Sequence, residues 1–319
     1  MGLPETGLAH PPHPSTFSIV AADPAAGEVG VAVASRFFAV GTVVPHATAD
    51  VGAVATQSYA NTTYGPRGLA LLAAGKNPKE TLEALLGPDE GRDRRQVGIV
   101  AADGRSVTYT GKGCNAWAGG RSGPNYAVQG NILTGEPVVL AMEKSFLATA
   151  TSGKPLAERL YLALEAGDAA GGDSRGRQSA ALLVVRDSAG YNGFTDRAID
   201  IRVDDHATPF QELRRILDLA LVNDLWNRGW NEFMAKRFDD ARTWQEKTAT
   251  LAEKTPGMLP EVLYDLAVIR LADGDRPGAV SAIERSIQLN PKLRASALKD
   301  SDLEGMRAEI EKLPAPKAP

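Results

Sequence analysis

Apolar and polar positions change period several times along the chain, and each change marks an element. FSIVAAD (residues 17–23) and VGVAVAS (residues 29–35) alternate apolar and small residues on either side of the turn-rich DPAAGE, which predicts a β-hairpin. Strand periodicity continues through GTVVPHATADVGAVATQS (residues 41–58). Pro45 is tolerable there only at an edge or a bulge, because it donates no backbone N–H. The period then lengthens. Leu69, Leu71, Leu72, Leu82, Leu85 and Leu86 suit helices, and GKNP (residues 75–78) divides them into two. QVGIVAADGRSVTYT (residues 96–110) predicts a second hairpin, turning at Asp103-Gly104. Residues 111–130 read as a glycine-rich loop, and residues 137–149 and 155–166 as helices. SAALLVVRD and AIDIRVDD read as strands, and residues 209–221 as an amphipathic helix.

The order is strands, helices, strands, helix. A doubly wound βαβ sheet would alternate, so the pattern favours antiparallel sheets covered by helices, an α+β fold. From about Asn223 strand signals stop and helix formers take over. GWNEFMAKRFDDARTW, from Gly229, aligns with AVIRLADGDRPGAVSAI, from Ala267, so that Gly229 matches Ala267 and Ala241 matches Ala279 at one offset. A constant offset is the signature of a repeat, with small residues where two helices cross closely. The pattern resembles tetratricopeptide repeats, with LRASALKDSDLEGMR as a capping helix. Its spacing is a few residues longer than the usual length of about 34, which EKTPGMLPE accounts for as a longer turn. Three regions are therefore expected: a tail over residues 1–15, a first domain over 16–222 and a helical module over 223–319.

Composition narrows the function classes. A net charge of −4 argues against nucleic acid, which calls for a basic face. No apolar run approaches the roughly 18 residues of a membrane span. The single Cys114 excludes an intramolecular disulfide and a cysteine-rich zinc site. MGLPETGLAHPPHPS lacks a basic n-region and an apolar h-region, so the chain as written reads as cytoplasmic. A secretion signal replaced by the initiator Met is the periplasmic or secreted alternative. LPETG, at residues 3–7, looks like a sortase signal but stands far from a C-terminal apolar tail. No phosphate loop, dinucleotide fingerprint or nucleophile elbow occurs, and neither a cofactor nor a metal is expected.

TFSIVAADPAAGEVGVAVASRFFAVG, GAVATQSYANTTYGPRGLALL, RQVGIVAADG, TGKGCNAWAGG, YAVQGNIL and GGDSRGRQSAALLVVR together resemble one family, the bacterial domain of unknown function 1028. The resemblance spans residues 16–221. It implies a four-layer α-β-β-α sandwich of the N-terminal nucleophile (Ntn) hydrolase type, and no settled reaction. It also gives Thr16 a meaning beyond that of a strand residue. A hydroxyl is a weak nucleophile until a base takes its proton. An N-terminal threonine carries its own base, an α-amine with a pKa of about 7.7–8.0. Inside a peptide bond that nitrogen is an amide and is useless as a base. Thr16 is thus competent only after residues 1–15 are removed, by the protein itself or by a protease.

Other polar residues have two readings each. Ser35 and Arg36 end the second hairpin strand beside Thr16. Arg36 there either lowers the amine pKa or binds a carboxylate, or else is a solvated strand-end charge. Gln57 and Asn61 either bind an amide substrate or hold the loop after their strand. Gln129 and Asn131, with GKGCNAWAGG, are candidates for an oxyanion hole or parts of a turn-rich loop. Asp173 and Gln178, with Arg175 and Arg177 between them, suit substrate binding or an ordered salt-bridged loop. Asp204, Asp205 and His206 read better as a strand end than as a metal site, since adjacent strand residues point to opposite faces. Two functions follow. One is an amidohydrolase cleaving a small amide or a peptide with Thr16. The other is a non-catalytic binding or scaffold protein that docks a peptide on its helical repeats. A homo-oligomer is expected in either case.

Overall fold

The structure is a computed structural model that describes residues 16–314. The expectations placed on residues 1–15 lie outside the described residues. Two compact units divide the chain. One comprises residues 16–187 and Arg197–Arg214, the other Ser188–Asp196 and residues 215–314.

The first unit is built on two antiparallel sheets. The predicted hairpin is β1 (Thr16–Asp23) and β2 (Glu28–Ser35), paired in register from Thr16↔Ser35 to Asp23↔Glu28. β3 (Pro45–Thr48) and β4 (Gly52–Ser58) follow, and Pro45 takes the first position of an edge strand, where its missing donor costs no ladder bond. α1 (Tyr64–Ala73) and α2 (Pro78–Leu86) are separated as expected. Gly75 takes φ +88° in the break, and Asn77 starts α2 with a capping box. Its side chain accepts from the Glu80 N–H at 3.0 Å, and the Glu80 carboxylate accepts from the Asn77 N–H at 2.9 Å. β5 (Arg95–Ala101) and β6 (Ser106–Thr110) form the second hairpin, with Gly104 at φ +86°.

Residues 111–130 are not all loop. They contain β7 (Gly119–Gly123) and most of β8 (Tyr126–Asn131), and β8 pairs with β1 itself. The glycines there serve close approach rather than turning. A Cβ on Gly120 would lie 2.8 Å from Thr108 Oγ1, and one on Gly130 would lie 2.4 Å from the Leu133 side chain. α3 (Pro137–Ala148), α4 (Leu156–Ala169), β9 (Ser179–Val185) and β10 (Arg197–Val203) complete the sheets and helices of this unit up to α5 (Pro209–Met234). The sheet orders are β10-β9-β2-β1-β8-β7 and β3-β4-β5-β6.

Alternation decides what each face touches. On β1, Phe17 and Ile19 point toward the helices. Phe17 stacks on Phe210 at 6.3 Å between ring centres and lies near Gly167 of α4, where a Cβ would also meet Met142 of α3. Val20 and Ala22 point the other way, into a layer shared with Val31 and Val33 of β2, Ala53 and Ala55 of β4 and Val100 of β5. That layer lies between the facing sheets. α1 and α2 pack on the other face of the four-stranded sheet around Tyr64, Leu72, Leu82, Leu85, Val97 and Ile99. Burying each such aliphatic side chain is worth about 1.5–3 kcal/mol.

α5 does not stop at residue 221. It runs 26 residues, through the boundary expected at 222, because no proline follows Pro209 within it, Gly229 alone does not break it, and its apolar positions continue through Val222 and Trp226. α6 (Phe238–Ala252), α7 (Leu259–Ala272), α8 (Arg276–Leu289), α9 (Leu293–Ala297) and α10 (Arg307–Lys312) follow. The offset of 38 residues that joins Gly229 to Ala267 also joins their turns. Lys236 and Gly274 both have positive φ, at +60° and +84°. Arg237 N–H donates to Glu232 O and Asp275 N–H to Arg270 O, both at 2.9 Å. Ala241, Ala267 and Ala279 are fully buried, where larger side chains would force the helices apart.

Candidate functional site

The layer between the sheets is apolar over most of its extent and turns polar at one end. Register explains this. Asn131, Thr16, Ser35 and Ser179 are successive partners across four neighbouring strands. Directly paired residues share a face, so their side chains form one polar row. Gln57 of β4 pairs with Gln96 of β5, which pairs with Thr110 of β6, giving a second row in the opposite sheet. Ser18 and Gln129, two residues further along their strands, add a third pair. Thr16, Ser18, Gln57, Gln96, Gln129 and Asn131 are all buried.

Buried polar groups are costly unless paired, and here the partners lie across the gap. Thr16 Oγ1 donates to Ser35 Oγ at 3.2 Å. The Thr16 carbonyl accepts from Gln57 Nε2 at 3.2 Å and from Asn131 Nδ2 at 3.5 Å. The same two amides donate to Gln96 Oε1, at 2.8 and 3.0 Å. Gln57 Oε1 accepts from Ser18 Oγ at 2.6 Å, and Ser18 Oγ accepts from Gln129 Nε2 at 2.7 Å. Gln96 Nε2 donates to Gly130 O at 2.7 Å, Thr110 Oγ1 at 2.9 Å and Gly119 O at 3.2 Å.

Those backbone carbonyls fix the direction of the whole network. A carbonyl only accepts, so the Gln96 NH2 must face Gly130 and Gly119 and its oxygen must face the two amides. Gln57 and Asn131 therefore present NH2 groups, and each has a second hydrogen to offer Thr16. The chain turns sharply just beyond both amides. Ser58 has φ +69° and Ile132 φ +52°, left-handed conformations that cost of order 1 kcal/mol for non-glycine residues. Every side chain of the network is neutral. The group nearest to a base is the Thr16 nitrogen itself, an amide while Ser15 is attached.

Of the residues singled out in the sequence, Thr16, Ser35, Gln57, Gln129 and Asn131 come together. Arg36 and Asp173 meet at the end of β2, where the Arg36 N–H donates to Asp173 Oδ2 at 2.7 Å and the Arg36 guanidinium donates to Arg175 O at 3.0 Å. Asp173 also takes the Arg175 N–H at 2.9 Å and the Arg175 guanidinium at 3.1 Å, so it pins residues 171–176 to β2. Gln178 is not in the network; it donates to Asp205 at 3.2 Å on the surface. Asn61 holds the loop after β4, accepting from the Thr63 N–H and hydroxyl at 3.2 and 2.7 Å and donating to Asp89 at 3.4 Å. Asp89 is the hub there. The Arg95 guanidinium holds its carboxyl well below the usual carboxylate range, and burial raises the pKa of the Tyr64 hydroxyl bonded to it at 2.6 Å.

Residues 111–120 turn two carbonyls toward the chain just past β8: Asn115 O and Trp117 O accept from Ile132 and Leu133 N–H, both at 3.0 Å. The Cys114 thiol pKa is pushed up by burial. His206 Nδ1 accepts from Thr208 N–H at 3.1 Å, where the chain passes into α5. Among the described residues no group of three or more His, Cys, Asp or Glu side chains gathers as a metal would require, and no helix is long and apolar enough to cross a membrane. Ser18, Gln96, Thr108 and Thr110 were not singled out in the sequence. Alternation held the signal: Gln96 shares its face with Gly98 and Val100, and Ser18 with Thr16 and Val20.

Residues 16–213 match the family described as "Family of unknown function (DUF1028)". No curated protein matches the chain. Among solved structures, protein SPO2555 from Silicibacter pomeroyi, assigned to the same family, is similar at 28% identity with a TM-score of 0.58. The likeness covers 65% of this chain and 86% of that one. From the residue that opens β1 to the first turn of α5, this chain belongs to the DUF1028 family.

Proposed function

We propose that the protein is an Ntn-type amidohydrolase whose nucleophile is Thr16, released by cleavage of the Ser15–Thr16 bond. The observation that carries this reading is the network around Thr16. It spends two carboxamides on the carbonyl of one strand-end residue and brings a serine hydroxyl to its Oγ1. Such a clamp fixes the residue while leaving its nitrogen as the group to be freed. Two facing antiparallel sheets with helices packed on both support the sandwich that the family resemblance implies. Once freed, the α-amine takes the Thr16 hydroxyl proton as Oγ1 attacks an amide carbonyl, and returns it to the leaving nitrogen. Water then hydrolyses the ester. Ser35 Oγ, as the partner of Thr16 Oγ1, aligns the hydroxyl.

The test is N-terminal sequencing of active protein together with turnover by the intact chain, the chain released at Thr16, and released Thr16→Ala. Activity only in the released wild-type form supports the reading. Activity with Ser15 still attached, or surviving Thr16→Ala, overturns it. A second reading has its own support: the turns at Lys236 and Gly274 share one geometry 38 residues apart, as tetratricopeptide-like hairpins would. In that reading the helical region docks a peptide partner or a second copy. Silence of every form toward amides, with saturable peptide binding to the full chain, favours it.

A further inference from the structure

This inference rests on the hydrolase reading and names its substrate class. A cavity of about 30 Å³ adjoins Thr16, with Gln57 and Ser58 on one side and Val40, Val43, Val44 and Ala60 among its apolar walls. About 10–15 Å³ of such space holds one water-sized group, so the cavity has room for one or two of them, the size of a methyl or an ethyl group. A buried water needs two to four polar partners. Both Gln57 polar atoms are already engaged, with Thr16, Gln96 and Ser18, and the Thr16 hydroxyl donates to Ser35. The space therefore suits a small apolar group.

Its walls are held by backbone bonds. The Val40 N–H donates to Ser179 Oγ at 3.2 Å, Val44 N–H to Val40 O at 3.1 Å, and Thr56 N–H to Val44 O at 3.2 Å. Val40 and Val44 are almost fully buried. A longer chain would have to displace side chains fixed in a packed layer.

We propose that this cavity receives the alkyl end of the acyl group during attack by Thr16, so that the protein cleaves short-chain acyl amides of acetyl or propionyl size. Thr16 Oγ1 bonds to the carbonyl carbon as its proton passes to the freed α-amine. The C–N bond then breaks, and the departing amine takes that proton. Water repeats the sequence on the ester, releasing a short-chain carboxylic acid and restoring the hydroxyl.

The probes are p-nitrophenyl acetate, butyrate and octanoate, each rate divided by its uncatalysed rate. The protein is the chain released at Thr16, which keeps every described strand and helix, and the control is the released Thr16→Ala variant. A hydrophobic pocket discriminates one misfit methylene by roughly 10–200-fold. Acetate should exceed butyrate by at least about tenfold, with octanoate slower still. Val43→Ala should move the preference toward butyrate by a similar factor, and Ala60→Val, which fills the space, should slow acetate. Equal rates across the series, or an octanoate preference, overturn the pocket and leave the hydrolase standing. Absence of Thr16-dependent turnover with every ester overturns the hydrolase reading and the pocket with it.

Discussion

Gln96→Met is the sharpest perturbation of the polar end of the sandwich. Methionine matches the shape of glutamine, so packing is largely kept while every hydrogen bond of the carboxamide is lost. Two amide hydrogens, on Gln57 and Asn131, lose their shared acceptor. Gly130 O, Gly119 O and Thr110 Oγ1 lose a donor. A buried group left unpaired costs about 1–3 kcal/mol. Thr110 can turn to another partner, and the Gln57 and Asn131 amides keep their bonds to Thr16. Relaxation of this kind brings the expected loss to about 3–5 kcal/mol, a large fraction of the stability of a typical domain. Gln96→Glu keeps the acceptor but loses the donors and buries a charge, so it should cost at least as much. The measurement is urea unfolding combined with hydrogen exchange of peptides from β1 and β8, because the second unit contributes its own unfolding signal. A loss under about 1 kcal/mol, with β1 exchange unchanged, would refute the argument that Gln96 sets the direction of the network.

Gly98→Ala should destabilise by about 1–3 kcal/mol, since its Cβ would lie 2.3 Å from Gln129 Oε1. In a double-mutant cycle with Gln129→Ser the penalty should shrink, and strict additivity would contradict the contact. Burial lowers the His46 pKa below its ordinary value of 6.5, so the folded state prefers the neutral ring. The folded state therefore loses stability as pH falls below 6.5, where the unfolded ring takes up its proton first; exchange protection of β3 and β4 should fall with it, and less so in His46→Phe. Asp265 behaves oppositely: burial pushes its carboxyl up to about 6, and it accepts from Trp226 Nε1 at 2.8 Å. A carboxyl raised in the fold favours folding below its folded pKa, so the helical unit should gain stability as pH falls from 7 toward 4. For this largely buried group that shift is worth up to about 3 kcal/mol. Asp265→Asn, which keeps an acceptor for Trp226, should raise the thermal midpoint at pH 7.5, and a lowered midpoint would contradict the assignment.

Strands and helices with a clean period were legible in the sequence. Phe17 and Ile19 alternate with Ser18 and Val20, and the leucines of residues 64–86 keep a helical spacing, so local pattern and tertiary burial agree there. β7 and β8 were obscured because their glycines resemble turn residues. The reason for glycine at 120 and 130 is a neighbouring side chain that only the fold brings near. α5 was read too short because composition shifts near residue 223 while the backbone has no cause to break. At the site, Thr16, Ser35, Gln57, Gln129 and Asn131 were found by strand ends and family resemblance. Gln96 was not, since its importance lies in pairing with Gln57 across β4 and β5 and in reaching the carbonyls of the opposite sheet, neither of which a single strand reveals. Asp173 and Asn61 each had two readings in the sequence, a substrate contact or a loop fastening, and the bonds they make are those of the second.

The central claim is tested most directly by quenching the Thr16-released protein during turnover of p-nitrophenyl acetate and mapping the trapped acetyl group by peptide mass spectrometry. The account predicts an acetyl ester on the Thr16 hydroxyl, absent from the intact chain and from Thr16→Ala. Turnover that proceeds with the label on another residue, or at the same rate while the Ser15–Thr16 bond is whole, would contradict it.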